Sequence, residues 1–181
     1  MNGPVLFTPR LMLRPVGPQD LEPWIAFHDD PEVMRFLGGV QPRSVAWRGL
    51  CAMAGAWAIN GHAMFAVIER ATGAWVGRVG PWQPLDWPGT EIAWGIARGF
   101  EARGYAYEAA RAATDFAVEV LGWTDIIHTI HPDNSRSIAL AERLGSRHRG
   151  PVTLPAPLTQ MRVDAWGQSA DEWRARARAM P

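Results

Sequence analysis

The sequence predicts a mixed α/β (α+β) fold, in which a mostly antiparallel central sheet carries helices on both faces. Three observations predict it. Short apolar runs at 64–68 and 75–79 flank the turn Arg70-Ala71-Thr72-Gly73, as neighbouring antiparallel strands do. Residues 104–121 set Ala106, Ala109, Ala110, Ala113, Phe116, Ala117, Val120 and Leu121 at spacings of three and four, the period of an amphipathic helix. Helical and extended patterns then alternate along the chain, which calls for a sheet covered by helices.

Taken in order, residues 7–16 mix apolar and polar side chains at short period and stop at Pro15-Val16-Gly17-Pro18, as a first strand before a turn would. Leu21, Trp24, Ile25 and Phe27 have helical spacing. Asp30-Pro31-Glu32 supplies an N-cap, a first-turn proline and an early acid for a short helix ending near Gly38-Gly39. Ser44 is the expected cap of a helix running to about Ile59. In the apolar run 46–57, Cys51 reads as a small buried side chain, since no charged partner adjoins it. Residues 81–89, rich in proline and tryptophan, read as a loop, and 90–97 as the next strand. Gly122 ends the long helix, 125–130 is a strand, and Asn134 caps a helix that stops at Gly145. Strands are expected near 147–153 and 158–166, and the capping box Ser169-Ala170-Asp171-Glu172 opens a closing helix to Met180.

Length and composition bound the function. The 181 residues suit one domain, 1–181, and 48% hydrophobic with 20% charged residues is the balance of a globular chain. The 18 basic and 18 acidic residues cancel and are mixed along the chain, which gives no footprint for nucleic acid. Every basic residue is Arg, so lysine Schiff-base chemistry is excluded. No stretch is long and apolar enough for a membrane helix, and Met1-Asn2-Gly3-Pro4 does not open a signal peptide. With one cysteine, a cytoplasmic protein without membrane or nucleic-acid partners is expected.

The turn at 98–103 carries the first chemical signal. A strand, a turn and a helix opening at Gly104 leave unpaired backbone N–H groups at a helix N-terminus, where the dipole favours an anion. Gly104 lets a ligand approach the backbone, Ala106 is small, and Arg98 and Arg103 add positive charge. Gly99 and Gly104 have P-loop spacing, but Tyr105-Ala106 stand where Lys and Ser/Thr are required. No two glycines lie two residues apart, so the dinucleotide fingerprint is absent. On its own the turn reads equally as a tight connection or as a phosphate site.

Two longer segments give the turn its context. Glu91-Ile92-Ala93-Trp94-Gly95-Ile96-Ala97 followed by Arg103-Gly104-Tyr105-Ala106-Tyr107-Glu108-Ala109-Ala110-Arg111 resembles motif A of the GNAT acetyltransferases. The run from Asn134-Ser135-Arg136-Ser137 to Arg143-Leu144-Gly145 resembles their next motif, and Thr8-Pro9-Arg10-Leu11 with Asp30-Pro31-Glu32 is similar to the Rim-type branch, which acetylates ribosomal-protein N-termini. The resemblance spans about residues 5–150. Two positions depart from it: Glu101 stands where Gln or Arg is usual, and Ala102 replaces a frequent Gly.

The resemblance implies a GNAT-like sheet and direct transfer of an acetyl group from acetyl-CoA, without a metal, to the primary amine of a small molecule or a protein N-terminus. It implies that Ile96 pairs with the pantetheine arm, that the amides of Arg103, Gly104, Tyr105 and Ala106 hold the pyrophosphate, and that Asn134 bonds near the pantetheine. An alkyl amine with a pKa near ~10 must lose a proton before attack, so a base is needed. Glu91 matches the position from which family members relay that proton; His128 and His131 are alternatives. The family's thiol-protonating Tyr is replaced by Ala141, which leaves Ser137, water or no acid at all. Trp82, Trp87 and Trp94 are expected near the acceptor channel. A module that binds acyl-CoA without catalysis is the competing reading, and the chain is expected to be a monomer or homodimer.

Overall fold

The computed structural model describes residues 3–179. One eight-stranded sheet forms the centre: β1 (Leu6–Phe7), β2 (Leu11–Pro15), β3 (Phe65–Glu69), β4 (Trp75–Trp82), β5 (Glu91–Ile96), β6 (Asp125–Ile130), β7 (Arg147–Val152) and β8 (Val163–Ser169). Its order is β1-β2-β3-β4-β5-β6-β8-β7, and every neighbouring pair is antiparallel except β5 and β6. The expected first strand is two strands, because Pro9 interrupts it and Thr8 N–H turns back onto the Leu11 carbonyl at 2.9 Å.

Six α-helices accompany the sheet: α1 (Leu21–Asp29), α2 (Pro31–Met34), α3 (Arg43–Asn60), α4 (Tyr105–Glu119), α5 (Ser135–Leu144) and α6 (Ala170–Ala179). Ala109, Ala110, Ala113 and Ala117 of α4 are fully buried. Their small side chains let its backbone lie close to β4 and β5, while Phe116 meets Phe65 edge-on at 5.6 Å. Glu108 on the same helix takes the Thr8 hydroxyl at 2.5 Å and the Arg10 backbone N–H at 2.9 Å, which fastens α4 to the β1–β2 turn.

Several boundaries moved from their expected positions for identifiable reasons. Helix α3 begins with Pro42 at its cap, two residues ahead of the expected cap Ser44. Its buried stripe is Ala46, Leu50, Met53 and Trp57, so Cys51, a helical step aside from Leu50, faces solvent instead of the core. Strand β4 continues through Pro81 and Trp82, which composition had assigned to a loop. Alternation from the Ala97 N–H bond to Val76 points odd residues of β4 at β3, and β3 starts opposite Val79. Pro81 therefore has no ladder bond to lose. Strand β8 starts only at Val163, because residues 155–161 form two turns, Leu158 N–H to Pro155 and Met161 N–H to Leu158, each 2.9 Å. No helix among the described residues is long and apolar enough to cross a membrane.

Candidate active site

Strands β5 and β6 are parallel and six residues each, yet one pair, Glu91 with Ile127, is in register. Ile127 N–H donates to the Thr90 carbonyl at 2.9 Å. In a continued parallel ladder Thr129 N–H would next donate to the Ile92 carbonyl. Side chains take both groups instead. Thr129 N–H donates to Glu91 Oε1 at 2.8 Å, and His128 Nδ1 lies 2.7 Å from the Ile92 carbonyl oxygen. Beyond this point the strands splay. By alternation from Thr90, the N–H and C=O groups of Trp94 and Ile96 face the gap, where an extended ligand can bond to them as an added strand would.

His128 is the wedge on one side of that gap. Because a carbonyl only accepts, Nδ1 carries the proton and Nε2 accepts from the Ser146 hydroxyl at 3.0 Å. Ser146 Oγ in turn accepts Gln168 Nε2–H at 3.1 Å. Burial pushes the His128 imidazole down to about 4, so it stays neutral and serves as a spacer at working pH.

Glu91 stands at the apex of the splay, only 3% exposed. Oε2 accepts the Trp87 indole N–H at 2.5 Å, and the Thr129 hydroxyl lies 3.1 Å from both carboxylate oxygens. That hydroxyl has one proton and serves one oxygen at a time, which leaves a carboxylate lone pair open. Burial raises Glu91 to about 7, against the pull of the Thr129 and Trp87 donors and the Arg78 charge. A carboxylate whose folded pKa is raised is favoured when protonated, so its effect on stability runs downward as pH climbs. Stability should fall between the unfolded value near 4.5 and about 7, by at most about 3 kcal/mol. Thermal unfolding at pH 5 and pH 8 checks this: the wild type loses stability at the higher pH, and Glu91→Gln loses less.

At the other end of β5 the turn reaches α4 through Gly104, whose φ of 80° is left-handed. Tyr105, Ala106 and Tyr107 open the helix, and Glu108 N–H is the first to bond back, to the Gly104 carbonyl at 3.1 Å. The amides ahead of it are free donors at the positive end of the helix dipole. Helix α5 presents a second N-terminus, capped by Asn134, whose Oδ1 accepts Ser137 N–H at 3.2 Å. Glu101 leans from the turn to Arg136 in the first turn of α5, 3.3 Å away, so its carboxylate is paired.

Residues 10–147 match the family model of the acetyltransferase (GNAT) domain. The chain belongs to the GNAT acetyltransferases. It is 26% identical over 149 residues to the uncharacterized N-acetyltransferase p20 of Bacillus licheniformis, a match that covers 80% of this chain and 83% of that protein. Among solved structures, an acetyltransferase from Agrobacterium tumefaciens superposes with a TM-score of 0.82 at 29% identity, over 93% of this chain and 95% of its own. The spermidine N-acetyltransferase of Vibrio cholerae, solved with CoA and spermine, shares the fold at a TM-score of 0.73 and 15% identity, over 92% and 99% of the two chains.

In this GNAT chain the sequence-predicted residues fall into two groups. Glu91, Ile96, Arg103, Gly104, Ala106, Asn134 and Ser137 lie along the splay and its two helix starts. Ser137 Oγ accepts the Trp94 indole N–H at 3.1 Å, which leaves its own O–H to donate. Arg98 departs from its expected place, while Tyr105 keeps at the turn the amide that was expected there. Arg98 forms a two-toothed pair with Asp30, Nε to Oδ2 at 2.5 Å and Nη2 to Oδ1 at 2.7 Å, so its charge is neutralised. The Tyr105 hydroxyl turns away from the gap to donate to Glu69, and only its amide remains at the turn.

The tryptophans divide as well. Trp82 and Trp87 meet edge-on at 6.2 Å on the Glu91 face, whereas Trp94 lies on the opposite face, 4.6 Å from the His128 ring. Thr129, Ser146 and Gln168 were not singled out from sequence. A threonine in a strand and polar residues from two distant elements carry no local signal, although the β6 alternation does place Thr129 beside Ile127. His131 stacks against Phe36 at 5.1 Å, and no group of metal-binding side chains occurs among the described residues.

Proposed function

We propose that this acetyltransferase moves the acetyl group of acetyl-CoA to a primary amine, on a small molecule or a protein N-terminus, by direct attack, and that residues 1–181 act as a single domain. The buried Glu91 at the apex of the splay, with a pKa of about 7, is the observation that carries the reading. The residues present fit the cofactor: free strand-edge groups at Trp94 and Ile96, and free helix-start amides at Arg103–Ala106 for the pyrophosphate. Asn134 and Ser137 flank the same gap.

Acetyl-CoA supplies the acetyl group as a thioester, whose C–S bond breaks as the amine forms its N–C bond. Glu91 takes the proton that the amine gives up, directly or through the Thr129 hydroxyl. Trp87 and Thr129 hold the carboxylate in place, and its nearly neutral pKa keeps a large basic fraction at pH 7. No tyrosine reaches the gap from α5, since Ala141 is fully buried, and a thiol with a pKa near ~8.5 can leave without one.

That absence supports the second reading, a module that binds acyl-CoA without turnover. Thiol release from acetyl-CoA with a panel of amines tests both: acceptor-dependent release supports the transferase, and tight CoA binding without it supports the module. A smaller effect is expected at the gap's mouth. Glu101→Gln removes a negative charge beside the phosphates and frees Arg136, and should tighten CoA binding by about two- to fivefold at low salt. CoA titration at two ionic strengths checks it, with the gain shrinking at the higher one.

A further inference from the structure

A row of residues crosses the Glu91 face of the sheet: Arg14 on β2, Ala66 on β3, Arg78 on β4 and Gly95 on β5, each in register with the next. Its two arginines are treated differently. Arg14 forms a two-toothed pair with the buried Asp20, at 2.8 and 2.7 Å. Arg78 has no carboxylate partner among the described residues. Its Nη1 points at the Met64 sulfur at 3.0 Å, its guanidinium lies 5.6 Å from the rings of both Trp24 and Phe27, and its buried Nε has no hydrogen-bond partner. The neighbouring His28 is held neutral, down at about 4, by burial and by the Arg78 charge. A cation with a buried, unpaired N–H is costly, and a chain that pairs Arg14 so completely has the means to pair Arg78 as well.

What lies beside Arg78 suggests a role for its unpaired Nε. The next paired positions on the same face are Gly80 with Ala93, and then Trp82 with Glu91. Arg78 and Glu91 therefore stand on one face of the sheet, about 13 Å apart along the strand at the Cα level, with the small residues Gly80 and Ala93 between them and the Phe27 ring packed over Gly95 beside Arg78. The two charges sense each other. One end holds the proposed base, which attracts an amine, and the other holds a half-buried guanidinium whose Nε has no hydrogen-bond partner.

We infer that the acceptor of this acetyltransferase carries an anionic group, as an amino acid does, and that Arg78 binds this carboxylate while the amine lies at Glu91. The inference rests on the proposed acetyl transfer and names the acceptor class for the same site. A polyamine, with cations at every nitrogen, is disfavoured by the same charge. Arg78 is a specificity residue here: it takes no proton and touches no reacting atom.

The test measures equilibrium binding to the CoA-bound full chain, so that it does not depend on turnover. The probes are amine acceptors in matched pairs, ω-amino acids of two to six carbons and their uncharged amides, with spermidine as a third arm. For at least one chain length the wild type should bind the acid about tenfold or more tightly than its amide, the worth of a charge-assisted hydrogen bond. Arg78→Met, which keeps the apolar packing against Trp24 and Phe27, should bring that ratio to within about twofold, and Arg78→Lys should retain part of it. Equal binding of acid and amide at every length, tighter binding of spermidine, or a preference that survives Arg78→Met would overturn the inference. If Arg78→Met does not fold, the wild-type ratio and its Arg78→Lys counterpart decide. Absence of thiol release with an acid that binds in this way counts against acetyl transfer and leaves the anion site standing.

Discussion

Replacing Glu91 with Gln should lower kcat/KM for acceptor-dependent thiol release by about 10²–10⁴-fold, the usual worth of a positioned general base. The wild-type profile should rise with pH through about 7, as Glu91 loses its proton and becomes able to accept one from the amine. In Glu91→Gln that limb should vanish, and only the rise from deprotonation of the amine itself, toward ~10, should remain. CoA affinity should stay within about twofold, because Glu91 sits at the apex of the splay and the turn proposed to hold the pyrophosphate lies past the other end of β5. Steady-state rates from pH 5.5 to 9, with CoA titration of both proteins, measure all three quantities. A variant with the wild-type profile would remove Glu91 as the base and leave His131 or water in its place.

Gly104→Val should weaken CoA binding by about tenfold or more. The residue caps α4 with φ at 80°, a conformation in which a β-branched side chain costs about 1–3 kcal/mol. An added Cβ itself would lie in ordinary contact, 3.4 Å from the Arg10 guanidinium that holds the Arg103 carbonyl at 2.9 Å, so the strain lies in the backbone conformation. Relief of that strain would rotate the amides of Tyr105 and Ala106, the donors proposed to hold the pyrophosphate. Gly104→Ala should show the same effect at smaller size. Isothermal titration with CoA, paired with thermal unfolding, separates lost donors from lost fold: affinity should fall by more than the change in stability accounts for.

Much of the fold could be read from local pattern. The α4 periodicity, the hairpin at 70–73, the Asn134 cap and the Gly145 stop each depend on residues within a few positions of one another, and the structure has all four. The insertion of β8 between β6 and β7 depends on contacts far apart in sequence, and nothing local encodes it. Side-chain pairing was the least legible level. Arg98 looked like a free cation because Asp30, 68 residues away, gives no sign at the turn itself. Cys51 looked buried because the apolar residues of α3 run nearly all the way round the helix, and only packing shows which stripe faces inward.

The site shows the same division. Resemblance to a family pointed to Glu91 and the Gly104 turn, but it did not supply the features that would suit Glu91 to the proposed role of base. Those features come from burial and from Thr129, 38 residues away, whose amide is released by the splay of β5 from β6. The same splay leaves the Ile92 carbonyl to His128. A single break in a parallel ladder thus opens the gap and anchors Glu91, and neither effect is visible until the strands are in register.

The most direct measurement is a crystal structure of the full chain with CoA. The account predicts pyrophosphate oxygens at about 3 Å from the backbone amides of residues 103–106, pantetheine amides bonded to the exposed edge of β5 at Trp94 and Ile96, and the thiol within reach of Glu91 at the apex. CoA lodged outside the β5–β6 gap, or phosphates away from the start of α4, would contradict it.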